Sequence, residues 1–298
     1  MPELPEVETT RRGLMRAING HKIVEVDVKR RDLRTKLPDD FEARLEGRSI
    51  TGIRRRAKYL LIDLDSNDVV LAHLGMSGSF RVVNATDYLA KKHDHILWHM
   101  EDGKLAVFHD PRRFGLMDVF ARKYEKTHPL LAHLGPEPLS GNFTPHYLQT
   151  QLLRRSGPIK PALIDQKLVV GVGNIYASES LFRCGVNPQV SAKKAASSSA
   201  EIVAAIKATL EDALNSGGST LRDFVGADGE GGYFQHRFLV YEREDYPCSV
   251  CKESIKITTQ AGRSTYWCDT CQPLHAISKK PRRTAGLRRI KKNHAACE

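Results

Sequence analysis

The feature that most restricts how this chain can fold is a pair of C-x-x-C motifs near its end. Cys248 and Cys251 form one, Cys268 and Cys271 the other, with sixteen residues between them. Two such pairs place two thiolates on each of two tight turns. That arrangement fits a tetrahedral four-thiolate Zn2+ site, closed to substrate and therefore structural. The intervening SIKITTQAGRSTYW has β-like stretches on either side of Ala261-Gly262. The spacing therefore predicts a β-hairpin zinc finger over 238–272 holding one structural Zn2+, and no organic cofactor is expected. The N-terminus, MPELPEVETTRRGL, carries three glutamates and no apolar core, unlike a secretory signal. Without export, clustered cysteines read as metal ligands rather than as a disulfide framework. Cys184 and Cys297 fall in neither pair.

The formal net charge of +11 favours a polyanionic partner, nucleic acid first. It is unevenly spread. Residues 273–298 hold eight Lys/Arg and one Glu, a net of +7, which leaves +4 for the rest. Dense like charge and little apolar content predict a disordered basic tail there. No apolar run reaches the roughly 18 residues that a membrane span needs, so no membrane contact is expected. With no secretory signal either, a cytoplasmic protein is expected, and it is expected to be a monomer.

Periodicity divides the remainder. A helix starts at the N-terminus, where Pro5 is tolerated in the first turn and Glu6 and Glu8 suit the positive end of the helix dipole. β patterns then run to about residue 120. Val24, Val26 and Val28 alternate with polar residues, and Tyr59–Leu64 and Val69–Leu74 are apolar runs of strand length. Segments 95–100 and 104–108 flank Asp102-Gly103, a hairpin signal. These patterns predict an antiparallel β-sandwich lobe over 1–132. HLGPEPLSGNF (133–143) is rich in turn formers and marks a boundary. Helical patterns follow over 145–154, 160–168 and 175–184. A further helix, capped by Ser198 or Ser199, carries Ile202, Val203, Ile206, Leu210 and Leu214. Ser216-Gly217-Gly218 ends it, and a glycine-rich loop is expected over 219–235. The class is α+β with two lobes, the helical one over 133–235.

Several motifs together resemble the formamidopyrimidine-DNA glycosylase family: PELPEVE at the N-terminus, RRAKYLL (55–61), HLGMSG (73–78), KHDH (92–95), DPRRFG (110–115) and VVGVGNIYASESLF (169–182), besides the zinc module. The likeness covers residues 1 to about 272. It implies a helix–two-turns–helix DNA-binding lobe, with 219–235 as a lesion-recognition loop. It also implies excision of oxidised purines, 8-oxoguanine and formamidopyrimidines, from damaged double-stranded DNA, followed by β,δ-elimination at the abasic site.

By that resemblance Pro2 is the nucleophile once Met1 is removed, Glu3 the general acid/base, and Glu6 a supporting residue. An α-amine has a pKa near about 8, so a useful fraction is neutral at pH 7. A secondary amine condensing with an aldehydic carbon gives an iminium, an electron sink for elimination. Lys58 and Arg263 complete the catalytic set and grip phosphates; Asn174, in the GVGN turn, is a further phosphate contact. Gly171 and Gly173 allow backbone N–H groups to approach an anion. Met76, Arg112 and Phe114 match the set that fills the void left by a flipped nucleotide. His93, Lys160 and Arg155 match DNA-contacting positions, Arg155 standing where the family often has lysine. Read without the resemblance, PELPEVE is an acid-rich helix start, the arginine run before Lys58 is solvated, and Met76 and Phe114 are core. Two other readings remain: an oxidised-pyrimidine endonuclease of the same superfamily, which usually has Gly where Leu4 stands, and a non-catalytic zinc-finger DNA-binding protein.

Overall fold

In the computed structural model, which describes residues 1–218 and 233–274, the chain opens with helix α1 (Leu4–Ile18). Val7, Leu14 and Ile18 on this helix enter the core of the first lobe, whereas Leu4 enters the core of the second. The helix start therefore bridges the two lobes.

Eight strands and a short helix follow: β1 (Ile23–Val28), α2 (Phe41–Leu45), β2 (Ile50–Arg56), β3 (Tyr59–Leu64), β4 (Asp68–His73), β5 (Ser79–Asn84), β6 (Asp94–Met100), β7 (Lys104–His109) and β8 (Leu116–Ala121). They form two antiparallel four-stranded sheets, ordered β1-β6-β7-β5 and β2-β3-β4-β8. Leu60, Ile62 and Leu64 of β3 face the core between the sheets. Leu61 points the other way, into a layer with Val69, Leu71 and Phe120 capped by Leu131. Burial on both faces explains why β3 is a continuous apolar run rather than an alternating one. The Val24/Val26/Val28 alternation holds for Val26 and Val28, which face the core, but not for Val24. A bulge between Ile23 and Glu25 turns Ile23 and Val26 inward and leaves Val24 exposed, because one extra residue reverses the side on which its neighbours point.

The helical lobe comprises α3 (Pro145–Leu153), α4 (Ile159–Ile164), α5 (Asn174–Arg183), α6 (Ala192–Ala195) and α7 (Ser199–Asn215). The helix expected over 160–168 stops at Ile164. The Gln166 side chain replaces further helical bonds: its amide donates to the Ile164 and Val172 carbonyls, and its oxygen accepts the Gly171 N–H. Neither Ser198 nor Ser199 caps α7 through its side chain; α6 runs into it through a 3-10 turn. Leu214 is only partly buried.

The C-terminal hairpin, β9 (Lys256–Gln260) and β10 (Arg263–Trp267), packs on α5 through Phe182, Val240, Ile255 and Tyr266. The fully buried Glu179 on α5 accepts N–H bonds from Leu239, Val240 and Tyr241 at 2.9, 3.0 and 2.9 Å, fixing the segment that leads into the hairpin. The expected 219–235 loop and basic tail lie almost wholly outside the described residues. Among the described residues no helix is long and apolar enough to cross a membrane.

Candidate active site

The first turn of α5 leaves backbone N–H groups without helical partners, and these attract an anion. The anion they hold is the chain's own. Glu3, 2% exposed, places its carboxylate against the N–H groups of Gly173 (2.7 Å), Ile175 (3.0 Å) and Tyr176 (3.4 Å). A Cβ at Gly173 would stand 2.3 Å from the Glu3 carboxyl carbon, so only glycine admits the carboxylate there. The GVGN turn, expected to admit an anion, thus receives Glu3. Burial raises the Glu3 pKa, the Lys58 ammonium opposes the rise, and the Glu6 carboxylate adds to it. Glu6 accepts the Glu3 N–H at 2.9 Å and the buried Tyr176 phenol at 2.6 Å, so the two carboxylates are fixed relative to each other.

Lys58 is carried by the tight turn joining β2 and β3, where Ala57 adopts a positive φ of 55°. The arginine run before it is not a solvated charge cluster. Arg54 pairs with Asp63 and Glu125, Arg55 with Glu8 and Glu137, and Arg56 with Glu137. Glu137 also accepts the Ala57 N–H at 2.7 Å. It is therefore the anchor of the Lys58 turn, reached from the segment between the lobes. Lys58 itself is buried; burial pushes its pKa down, Glu3 pulls it up, and the Arg263 charge pushes it down again.

Pro2 is buried beside these groups, and with Met1 present its nitrogen is an amide. Burial lowers the pKa of the Met1 amine, against the pull of Glu3 and Glu6, while Lys58 and Arg112 lower it further. The chain terminus thus sits within the field of the residues expected to share its chemistry.

Lys160, expected to contact DNA, has an interior ammonium instead. It donates to Asn174 Oδ1 (2.7 Å), the Ser264 carbonyl (2.8 Å) and Thr265 Oγ1 (2.8 Å). Burial is the main cause lowering its pKa to about 7. Three protein acceptors satisfy its three donors, so it joins α4 to α5 and β10. The Asn174 amide donates to the Ser264 carbonyl at 3.0 Å. Arg155 is paired with Asp165 at 3.0 Å. Arg263 is exposed at the start of β10, close enough for its charge to act on Lys58 and Lys160.

Met76 and Phe114 are not core residues; they are 42% and 44% exposed on adjoining loops. A Cβ at Gly75, whose φ is +64°, would lie 2.3 Å from the Phe114 carbonyl carbon, so the loops abut. Buried Asp110 accepts from Ser77 Oγ and the N–H groups of Arg112 and Gly115. The Arg112 guanidinium lies 4.8 Å over the Phe114 ring, a cation–π contact. His93 lies at the edge of this loop pair; its carbonyl accepts the Asp110 N–H at 3.0 Å.

The four zinc-module sulfurs all lie within 4.8 Å of one another, with Cys248–Cys271 at 3.8 Å and Cys251–Cys268 at 3.3 Å. Tetrahedral Zn2+ with Zn–S of about 2.3 Å requires sulfur separations of about 3.8 Å, so the donor set fits one structural zinc. The ion would lock the hairpin that presents Arg263.

Glu137, Glu179 and Tyr176 escape sequence reasoning. The one available signal was charge: three consecutive arginines ahead of a buried strand need acidic partners.

Fold and site define a two-lobed protein with a carboxylate–lysine centre beside its N-terminus and a zinc-stabilised hairpin. Residues 1–117 match the formamidopyrimidine-DNA glycosylase N-terminal domain, 134–225 its H2TH domain, and 247–274 the zinc finger found in FPG and IleRS. The chain is 47% identical to the formamidopyrimidine-DNA glycosylase of Afipia carboxidovorans, the match covering 91% of this chain and all of that protein. The MutM (Fpg) protein of Thermus thermophilus superposes with a TM-score of 0.82 at 39% identity, covering 91% of this chain and 98% of that one. The Lactococcus lactis Fpg in complex with abasic-site DNA superposes with a TM-score of 0.84 at 31% identity, covering 91% and 99%. The chain belongs to the formamidopyrimidine-DNA glycosylase family.

Proposed function

We propose that this protein excises oxidised purines, 8-oxoguanine and formamidopyrimidines, from duplex DNA and cleaves the resulting abasic strand. The observation that carries the reading is a buried Glu3 carboxylate of raised pKa, held by the start of α5, beside Lys58 and the chain terminus. Removal of Met1 frees the secondary amine of Pro2. Water or that amine displaces the damaged base at the sugar C1′, and Glu3 donates a proton for base release and ring opening. Where water attacks, condensation of Pro2 with the opened aldehyde releases water and leaves an iminium; where the amine attacks, opening of the sugar ring gives the same iminium directly. Solvent water takes the C2′ proton, the C–H electron pair neutralises the iminium to an enamine, and the enamine expels the 3′ phosphate with its bonding pair. A second elimination expels the 5′ phosphate, with Lys58, Arg263 and Asn174 on the phosphates. Met76 and Phe114 enter the stack and Arg112 faces the unpaired base.

Borohydride tests this directly. On a duplex with 8-oxoguanine opposite cytosine it should reduce the iminium to a stable protein–DNA adduct that maps to the N-terminal peptide. A chain retaining Met1 should form none. An adduct through an internal lysine would sink the assignment of Pro2.

A further inference from the structure

The segment between β1 and α2 is crowded with basic residues, and all but one have acidic partners. Lys29 pairs with Asp27 (2.9 Å), Arg30 with Asp32 (2.8 Å), Arg31 with Glu42 (2.7 Å) and Lys36 with Asp39 (2.6 Å). Arg113, on the loop that carries Arg112 and Phe114, shares Asp32 at 3.2 Å. Arg34 is the exception: exposed, and without a carboxylate at ion-pair distance among the described residues.

Its position is fixed nonetheless. Leu33 and Leu37 on either side are anchored in the sandwich core. The Arg34 N–H donates to the Gly115 carbonyl at 3.0 Å, tying this segment to the loop that carries Arg112 and Phe114. Its charge acts on Tyr59, which directly follows Lys58, and on His73, its partner across β3 and β4, whose rings are tilted at 53° with centroids 5.0 Å apart. His73 lies within reach of two cations, Lys58 and Arg34. Burial first, and then those charges, lower its pKa to about 4, so at neutral pH it is a neutral ring. An exposed guanidinium without a carboxylate partner, beside a ring that stays neutral, leaves a positive charge that an arriving anion satisfies.

We infer that Arg34 is a further phosphate contact for duplex DNA, on the segment tied to the loop of Arg112 and Phe114. The inference rests on the DNA reading above. A guanidinium suits the role, since its fork of donors matches two phosphate oxygens.

The test is the salt dependence of binding to a duplex carrying a tetrahydrofuran abasic analogue, followed by fluorescence anisotropy. Each neutralised phosphate contributes about 0.9 to the slope of log K against log salt. Arg34→Gln should lower the slope by about that amount, while Arg34→Lys, which keeps the charge, should restore it. Arg30→Gln is the control: its charge is already compensated by Asp32, and its slope should match the wild type. Thermal unfolding of Arg34→Gln should also match, because the side chain is exposed and unpaired. An unchanged slope for Arg34→Gln overturns the assignment. So does an equal fall for Arg30→Gln, which would make the effect one of net charge. A wild type without duplex affinity overturns the DNA reading itself, and is distinguishable from both.

Discussion

Two hairpins bring a cation toward Glu3, and they are secured by different means. The β2–β3 hairpin delivers Lys58 and the β9–β10 hairpin delivers Arg263. Both turn on a non-glycine residue of positive φ, Ala57 at 55° and Ala261 at 48°. The first turn is held by the Glu137 carboxylate, through the Ala57 N–H and the guanidinium groups of Arg55 and Arg56. The second is held by a four-thiolate metal site below it and by Lys160 behind it. One anchor is an ion-pair network within the chain; the other needs an ion from outside. The difference teaches that the two cations can be lost separately, and that separability can be measured.

The largest effect is expected at the group both hairpins serve. Glu3→Gln keeps the shape but removes the acid, and single-turnover base excision should fall by about 10²–10⁴, the usual scale for a positioned acid/base. The raised pKa keeps wild-type Glu3 protonated above the ordinary carboxylate range. Excision by the wild type should therefore be lost only as pH rises through that higher value, and this limb should be absent from the variant. An unaltered pH profile would remove Glu3 from the acid role.

Next comes the metal-held hairpin. Cys268→Ser or chelation should reduce affinity for lesion-containing duplex by roughly two orders of magnitude, because metal binding supplies the folding energy of such a module. The β-sandwich should stay folded, since its core contains no zinc ligand. Full affinity in a metal-free preparation would show that the hairpin stands without its ion.

The ion-paired hairpin should respond less. Glu137→Gln retains an acceptor but loses the negative charge, and bonds to charged groups are worth about 1.5–3 kcal/mol. Stability should fall by about 1–2 kcal/mol after allowance for partial exposure, and cleavage of preformed abasic sites should slow with zinc content unchanged. A variant that loses zinc along with activity would mean that the two anchors are coupled.

The smallest effect separates the two turns. A left-handed backbone costs a non-glycine residue about 1–2 kcal/mol. Ala261 is exposed, so Ala261→Gly should stabilise by up to about 1 kcal/mol. Ala57 is buried, and Ala57→Gly gives up roughly 0.8 kcal/mol of methyl burial. Its net change in thermal midpoint should be close to zero. Equal shifts at both sites would contradict the difference in burial.

Features local in sequence were legible before the structure was known. The cysteine pairs, the Asp102-Gly103 hairpin and the apolar face of α7 depend on neighbours a few residues apart. The expected active-site residues came from motif likeness, not from chemistry that periodicity could reveal. Contacts across the chain were not legible. Glu137 meets Ala57 eighty residues away, and Glu3 meets Gly173 across 170, so no window contains both partners. The β1 bulge and the early end of α4 were also out of reach. Each depends on a bond chosen in three dimensions rather than on propensity.

The placement of Leu4 in the core of the second lobe has a consequence for biosynthesis. Glu3 and Leu4 cannot dock until Gly171 and Tyr176 have been made, since those residues supply their partners. At about 5–20 residues per second, the delay is roughly 10–30 s. During that interval Met1-Pro2 is an undocked end, open to an aminopeptidase; afterwards Pro2 is buried. Under the proposed chemistry, the nucleophile is most open to being freed before the two lobes have joined.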